Sequence, residues 1–239
     1  MPAGDQTYTA QWEINQYTVT YEGGGSDGGT SPVDQTVDYN TDITLGDSTF
    51  TRTGYTFDTW DCGQEGSTYT VTDNVTCAAQ WDANEYTLNF DSAGGSSVNA
   101  ISQDYDTAIT EPAGPTREGY TFTGWDKTIP DTMPAGDQTY TAQWEINQYT
   151  LSFDSAGGST VKSITQDYDT DVTAPKSPTR KGYTFTGWDT DLPENMPAGD
   201  QTYTAQWDAN EYTVSFDSAG GSAINSITQD YDTAITAPV

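Results

Sequence analysis

The chain has no histidine, two cysteines and three methionines, and its seven basic residues face 36 acidic ones, a formal net charge of −29 over 239 residues. Each shortage excludes something. Without histidine the usual general base and the commonest metal ligand are missing, and neither a Ser–His nor a Cys–His nucleophile pair can be built. The many carboxylates fall into no recognisable acid–base pairing, and the glycine turns "GSDGG" and "SAGGS" lack the lysine of a phosphate loop. The chain therefore reads as a non-enzyme without cofactor. Nucleic acid and anionic lipid attract proteins through Lys and Arg, so neither is an expected partner. No run of 18 apolar residues is present, so no membrane insertion is expected in this segment.

Aromatic residues make up 13% of the chain, too many for a disordered acidic tail. Thr, Asp, Gly and Tyr are abundant, and long runs of strong helix formers are missing, which favours strands and turns.

The sequence repeats. "QW" falls at Trp12, Trp81, Trp144 and Trp207, spaced 69, 63 and 63 residues apart, and the remaining tryptophans are Trp60, Trp125 and Trp188. "GYTFTGWD" occurs at Gly119–Asp126 and Gly182–Asp189, with "GYTFDTWD" at Gly54–Asp61. "MPAGDQTYTAQWEINQYT" at Met1–Thr18 recurs letter for letter at Met133–Thr150. The period is long for a solenoid and suits small domains in series, each with its own core. The expected units are a C-terminal fragment at 1–16, complete repeats at 17–85, 86–148 and 149–211, and an N-terminal half at 212–239. On this reading the chain is a piece of something longer.

Within a unit the periodicity is that of strands. In "YTLSFD" Tyr149, Leu151 and Phe153 share one face and Thr150 and Ser152 the other. A second extended stretch follows, with Val161, Ile164 and Val172 as core contacts, then "YTFTGW" and "TYTAQW". Strict alternation places Trp188 opposite Tyr183 and Phe185, so Gly187 is read as a one-residue bulge that returns the indole to their face. No ten-residue stretch carries a helical apolar stripe.

The blocks "YTLSFDSAGGS", "APKSPTRKGYTFTGWD" and "MPAGDQTYTAQW" together resemble the Listeria–Bacteroides repeat, also called the internalin B-type B-repeat. The likeness covers the three full units and both partial ones. It implies small β-grasp-like, ubiquitin-like domains in tandem on bacterial surface or secreted proteins, acting as spacers and in some members as adhesion or ligand-binding modules. The first unit departs from the pattern. It reads "YEGGGSDGGTSPVDQ", lacks "MPAGD", and holds both cysteines.

Cys62 and Cys77 flank segments that, as neighbouring strands, would let them meet. They read as a structural disulfide, with two free thiols as the alternative, and Cys77 stands where Tyr140 and Tyr203 stand in the other units. Trp60, Trp81, Trp125, Trp144, Trp188 and Trp207, with Tyr120, Phe122, Tyr183 and Phe185, are expected to form the cores, because small domains need their largest side chains inside. The competing reading is a carbohydrate-stacking platform. Asp167, Asp169 and Asp171 alternate like the start of a calcium loop but lack its later Gly and Glu. The sister units keep only Asp104/Asp106 and Asp230/Asp232. A solvated acidic strand face is the expected role, a weak calcium site the alternative. Arg52, Arg117 and Arg180 precede each "GY" and are expected to pair with nearby carboxylates. Asn74-Val75-Thr76 matches a glycosylation sequon.

The reading is mainly β, with little or no helix: an extracellular repeat array serving as a spacer that presents another domain. Its partners would be neighbouring repeats and domains of its own chain. The alternatives are an adhesion module for a host protein or glycan and a calcium-stiffened rod.

Overall fold

A computed structural model describes residues 1–237; the last two residues of the final half-repeat, 238–239, lie outside the described residues. The described chain is all-β, without a helix. By Cα proximity it divides into two compact units, Met1–Asp91 with Val98–Ala113 and Trp125–Thr141, and Ser92–Ser97 with Gly114–Gly124 and the described residues from Ala142 on.

In the first unit, residues 1–15 form no strand, and Tyr8 and Trp12 are exposed. The repeat at 17–85 then builds a four-stranded sheet from β1 (Gln16–Glu22), β2 (Gln35–Asp38), β4 (Tyr55–Trp60) and β6 (Val75–Ala83), in the order β2-β1-β6-β4. The central pair β1/β6 is parallel, with Tyr21 beside Cys77, and both edge strands are antiparallel to their neighbours. A separate two-stranded antiparallel sheet of β3 (Thr41–Thr44) and β5 (Thr68–Val71) belongs to this repeat. Val19, Tyr21, Ile43, Leu45, Trp60, Val71, Cys77 and Ala79 form its buried core.

The repeat at 86–148 has β7 (Glu85–Asp91), β8 (Ile101–Asp104), β9 (Tyr120–Trp125) and β10 (Gln138–Ile146), ordered β8-β7-β10-β9. In the first unit Leu88, Met133 and Tyr140 are its buried core, and Phe90 and Trp125 pack against them.

In the second unit the repeat at 149–211 uses β11 (Gln148–Asp154), β12 (Ile164–Asp167), β13 (Tyr183–Trp188) and β14 (Gln201–Ala209) in the same order, β12-β11-β14-β13. Alternation explains the faces: Leu151 is fully buried between Tyr149 and Phe153, and with Met196 and Tyr203 it makes the core. Burying a leucine of this kind contributes about 1.5–3 kcal/mol. The last strands, β15 (Glu211–Val214) and β16 (Ile227–Asp230), pair antiparallel.

The register of β13 on β14 shifts between Phe185 and Gly187. Phe185 faces Trp207 and Trp188 faces Ala205, so the bulge turns Trp188 onto the face of Tyr183 and Phe185. The same shift occurs in β4 between Phe57 and Thr59. Consecutive repeats are joined closely: only Asn84 separates β6 from β7, only Asn147 separates β10 from β11, and only Asn210 separates β14 from β15.

Candidate functional site

The tryptophans take two different places. Trp60 is fully buried, its indole N–H donating to the Gly46 carbonyl at 2.9 Å. Trp125 and Trp188 stand at the equivalent position but are half-buried, edging onto their cores beside Phe90 and Phe153. The second set, Trp81, Trp144 and Trp207, is half-buried at the far end of the last strand. Each donates its indole N–H to a turn carbonyl at 3.0 Å: Trp81 to Gly23, Trp144 to Ser92, Trp207 to Ser155. Each also meets a phenylalanine edge to face: Phe57, Phe122 or Phe185. The glycine turn lies flat under the indole, since a Cβ on Gly95 or Gly158 would come within 2.5 Å of it. The interior thus rests less on indoles than the sequence suggested. In the second and third repeats Leu, Met and Tyr fill the centre, and tryptophans close its rim.

Arg52, Arg117 and Arg180 were expected beside carboxylates. Their guanidinium carbons lie instead over the rings of Tyr55, Tyr120 and Tyr183, at 3.9, 3.8 and 3.8 Å. The reason is local. Each arginine opens a tight turn whose carbonyl accepts from the tyrosine N–H three residues on, at 3.0, 3.1 and 3.2 Å. That turn folds the guanidinium back across the ring, an arrangement that contributes about 0.5–1 kcal/mol at an exposed site.

Cys62 and Cys77 form a disulfide, with Cα atoms 5.4 Å apart and 15 residues between them in sequence. Closing a loop of that length stabilises by roughly 3 kcal/mol in the chain-entropy account.

The acidic cluster is no strand face. Strand β12 ends at Asp167, and Asp169 has φ 59°, in the left-handed region, so the chain turns before Asp171. The carboxylates serve separate partners: Asp167 accepts from Gln148 at 2.9 Å and Asp169 from Asn195 at 3.1 Å. Among the described residues no three acidic side chains converge as metal ligands. The sister residues Asp106 and Asp232 make the same turn, at φ 61° and 65°.

Sequence reasoning missed what several acidic residues do. Asp61, Asp126 and Asp189, directly after the tryptophan, accept backbone N–H groups from Ala78, Thr141 and Thr204 at 2.9 Å each, on the strand paired with the bulged one. The aspartates of "MPAGD", Asp137 and Asp200, accept from Thr87 and Thr150 at 2.9 and 2.8 Å. Asn74 of the sequon does the same for Thr18 at 2.8 Å. The signal lay in the sequence, since an acid or amide recurs at a fixed place in each repeat.

These features define a class: a tandem array of small all-β repeats, each closed by its own buried residues. The chain belongs to the Listeria-Bacteroides repeat domain family, whose model matches residues 17–81, 86–143, 149–209 and 212–239. It is similar to a putative Gly-rich membrane protein of Evansella cellulosilytica, 36% identical across 100% of this chain and 31% of that protein. A putative membrane protein of the same organism is 33% identical across 88% of this chain and 34% of its own length. Internalin H of Listeria monocytogenes is 40% identical across 53% of this chain and 26% of its own length. The chain thus spans at most 34% of these relatives. Among solved structures, Streptococcal High Identity Repeats in Tandem (SHIRT) domains 3-4 from a cell surface protein align at 18% identity and a TM-score of 0.21, over 55% of this chain and 98% of that one.

Proposed function

We propose that the chain is part of an extracellular spacer, an array that holds another segment of its parent protein away from a cell surface. The observation that carries this is the junction: a single asparagine joins the last strand of one repeat to the first strand of the next, three times over. A link of one residue leaves little of the freedom that longer Gly/Ser linkers have. Two putative membrane proteins and an internalin among the relatives support this reading, and a disulfide suits an oxidising compartment. The net charge of −29 adds self-repulsion along the array, screened beyond about 8 Å at physiological salt.

On the finer fold, each repeat is read as a β-grasp variant without its helix. The order of a sheet such as β12-β11-β14-β13 puts the first and last strands of the repeat side by side and parallel at the centre. That order and pairing support the β-grasp reading, with loop residues closing the sheet where a helix would lie.

Small-angle scattering tests the spacer. Copies of residues 149–211 inserted after Glu211 should each add roughly 25–30 Å to the maximum dimension, from the size expected of a domain this small. Substitutions on the exposed sheet face, such as Thr150 and Thr165, should leave that growth unchanged. A dimension that fails to grow with added copies overturns the spacer. Adhesion to a glycan or protein that is lost on altering one face would favour the adhesion reading.

A further inference from the structure

Every repeat places a tyrosine directly after its second strand: Tyr39, Tyr105, Tyr168 and Tyr231. Three of them lie on a glycine of the repeat before. A Cβ added to Gly54, Gly119 or Gly182 would fall 2.3, 2.1 and 2.3 Å from ring atoms of Tyr105, Tyr168 and Tyr231. Each ring also meets, edge to face, the tyrosine after that glycine: Tyr55 at 5.4 Å, Tyr120 at 6.1 Å and Tyr183 at 5.7 Å. On its other side it meets the first tyrosine of its own repeat, Tyr86, Tyr149 or Tyr212, at 6.4, 6.4 and 6.0 Å.

The linking asparagine binds both sides. Asn147 donates its backbone N–H to the Gly119 carbonyl and accepts from Tyr168 N–H, both at 2.9 Å, and its Oδ1 accepts from Thr121 at 2.6 Å. Asn84 and Asn210 repeat the pattern with Gly54, Tyr105 and Thr56, and with Gly182, Tyr231 and Thr184.

Tyr39 shows the contacts made on its other side. Its N–H donates to the linking Asn15 at 2.8 Å, and its ring meets Tyr17, the first tyrosine of its own repeat, at 6.2 Å. Tyr39 is 51% exposed, and the three rings seated on a glycine are half-buried.

We infer that this tyrosine is a plug and the glycine of the preceding repeat its socket, so that successive repeats are locked to each other through a built interface. The glycine then serves twice. With φ +75° Gly119 occupies the third place of the turn that begins at Arg117, a place needing positive φ. Its missing side chain is the space Tyr168 fills. Asparagine tolerates the left-handed conformation yet carries a Cβ, so Gly119→Asn separates the two demands.

The test is electron-paramagnetic distance measurement on the full chain, with spin labels at Thr123 and Lys162, both exposed and on either side of the junction. The parent should give one narrow distance peak. Tyr168→Ala and Gly119→Asn should lose it, and Tyr39→Ala should keep it. Amide exchange at Leu151 reports that the following repeat is still folded. Should Gly119→Asn disturb its own turn, Tyr168→Ala alone decides, since its change leaves that turn intact. A narrow peak surviving in Tyr168→Ala overturns the plug. It would leave the spacer reading standing, because that reading depends on the one-residue links and on growth with repeat number.

Discussion

The first and third repeats each build a sheet of the same strand order and close it by different means. In the first, the β3/β5 strand pair brings Ile43, Leu45 and Val71 to the core, Trp60 is sealed inside, and Cys77 is tied to Cys62. In the third, the corresponding loop makes an isolated bridge between Asp171 and Asn195. There the core is closed by Met196, and Tyr203 stacks on Phe153 at 5.8 Å where the first repeat sets Cys77 beside Tyr21. The difference teaches that the sheet order and the bulge are the constant part. What covers the sheet is interchangeable between a covalent staple with an added strand pair and a methionine with a stacked ring pair.

The largest effect that sharpens this contrast is at the bulge tryptophans. Trp60→Ala should cost about 3–5 kcal/mol, the range for emptying a buried aromatic site, and it also strips the Gly46 carbonyl of its donor. Trp188→Ala, at a half-buried rim, should cost roughly 1–3 kcal/mol. Urea unfolding with residue-resolved amide exchange measures both. Equal losses would break the distinction.

Alkaline pH gives a smaller effect. Tyr140 and Tyr203 have phenols held above their ordinary value, first by burial and then by the carboxylates of Asp126 and Asp189. A raised phenol pKa leaves stability whole below the unfolded value of about 10 and removes it as pH climbs from there through the folded value. The second and third repeats should therefore weaken above that pH. The first should weaken less, because its equivalent residue is the disulfide-bonded Cys77. Amide exchange at Leu151 against Val19 across that pH range is the measurement, and parallel losses would contradict it.

The smallest effect is at the stacked arginines. Arg180→Ala should cost about 0.5–1 kcal/mol, with Arg52→Ala alike, since both lie over a tyrosine ring at nearly the same distance. A much larger loss at Arg180 would give weight to its second ring, Trp207, at 6.0 Å.

Much of the fold was legible in local pattern. The repeat period, the alternation of Tyr149, Leu151 and Phe153, and the bulge before Trp188 all follow from rules spanning a few residues. The parallel pairing of β11 with β14 was not legible, because it joins segments some 50 residues apart that carry no mark of orientation. The acidic cluster was misread for a local reason. Asp169 looked like one more alternating residue, yet Asp tolerates the left-handed conformation, and Asn40 at the same place was the clue. The plug was hidden because Gly119 looked like an ordinary turn glycine, while the ring that needs its bare surface comes 49 residues later, in another repeat. The stacking of Arg52, Arg117 and Arg180 was within reach, since an arginine three residues before a tyrosine across a glycine turn has few other places to go.

The central claim is that each repeat is its own cooperative unit, coupled to its neighbours at the junctions. Stretching single molecules of the full chain tests it most directly. Three unfolding steps should appear, each releasing about 20 nm of chain. One of them, that of the first repeat, should be shorter by roughly 5 nm until reductant opens the Cys62–Cys77 loop. A single step for the whole chain, or steps that reductant leaves unchanged, would contradict the account.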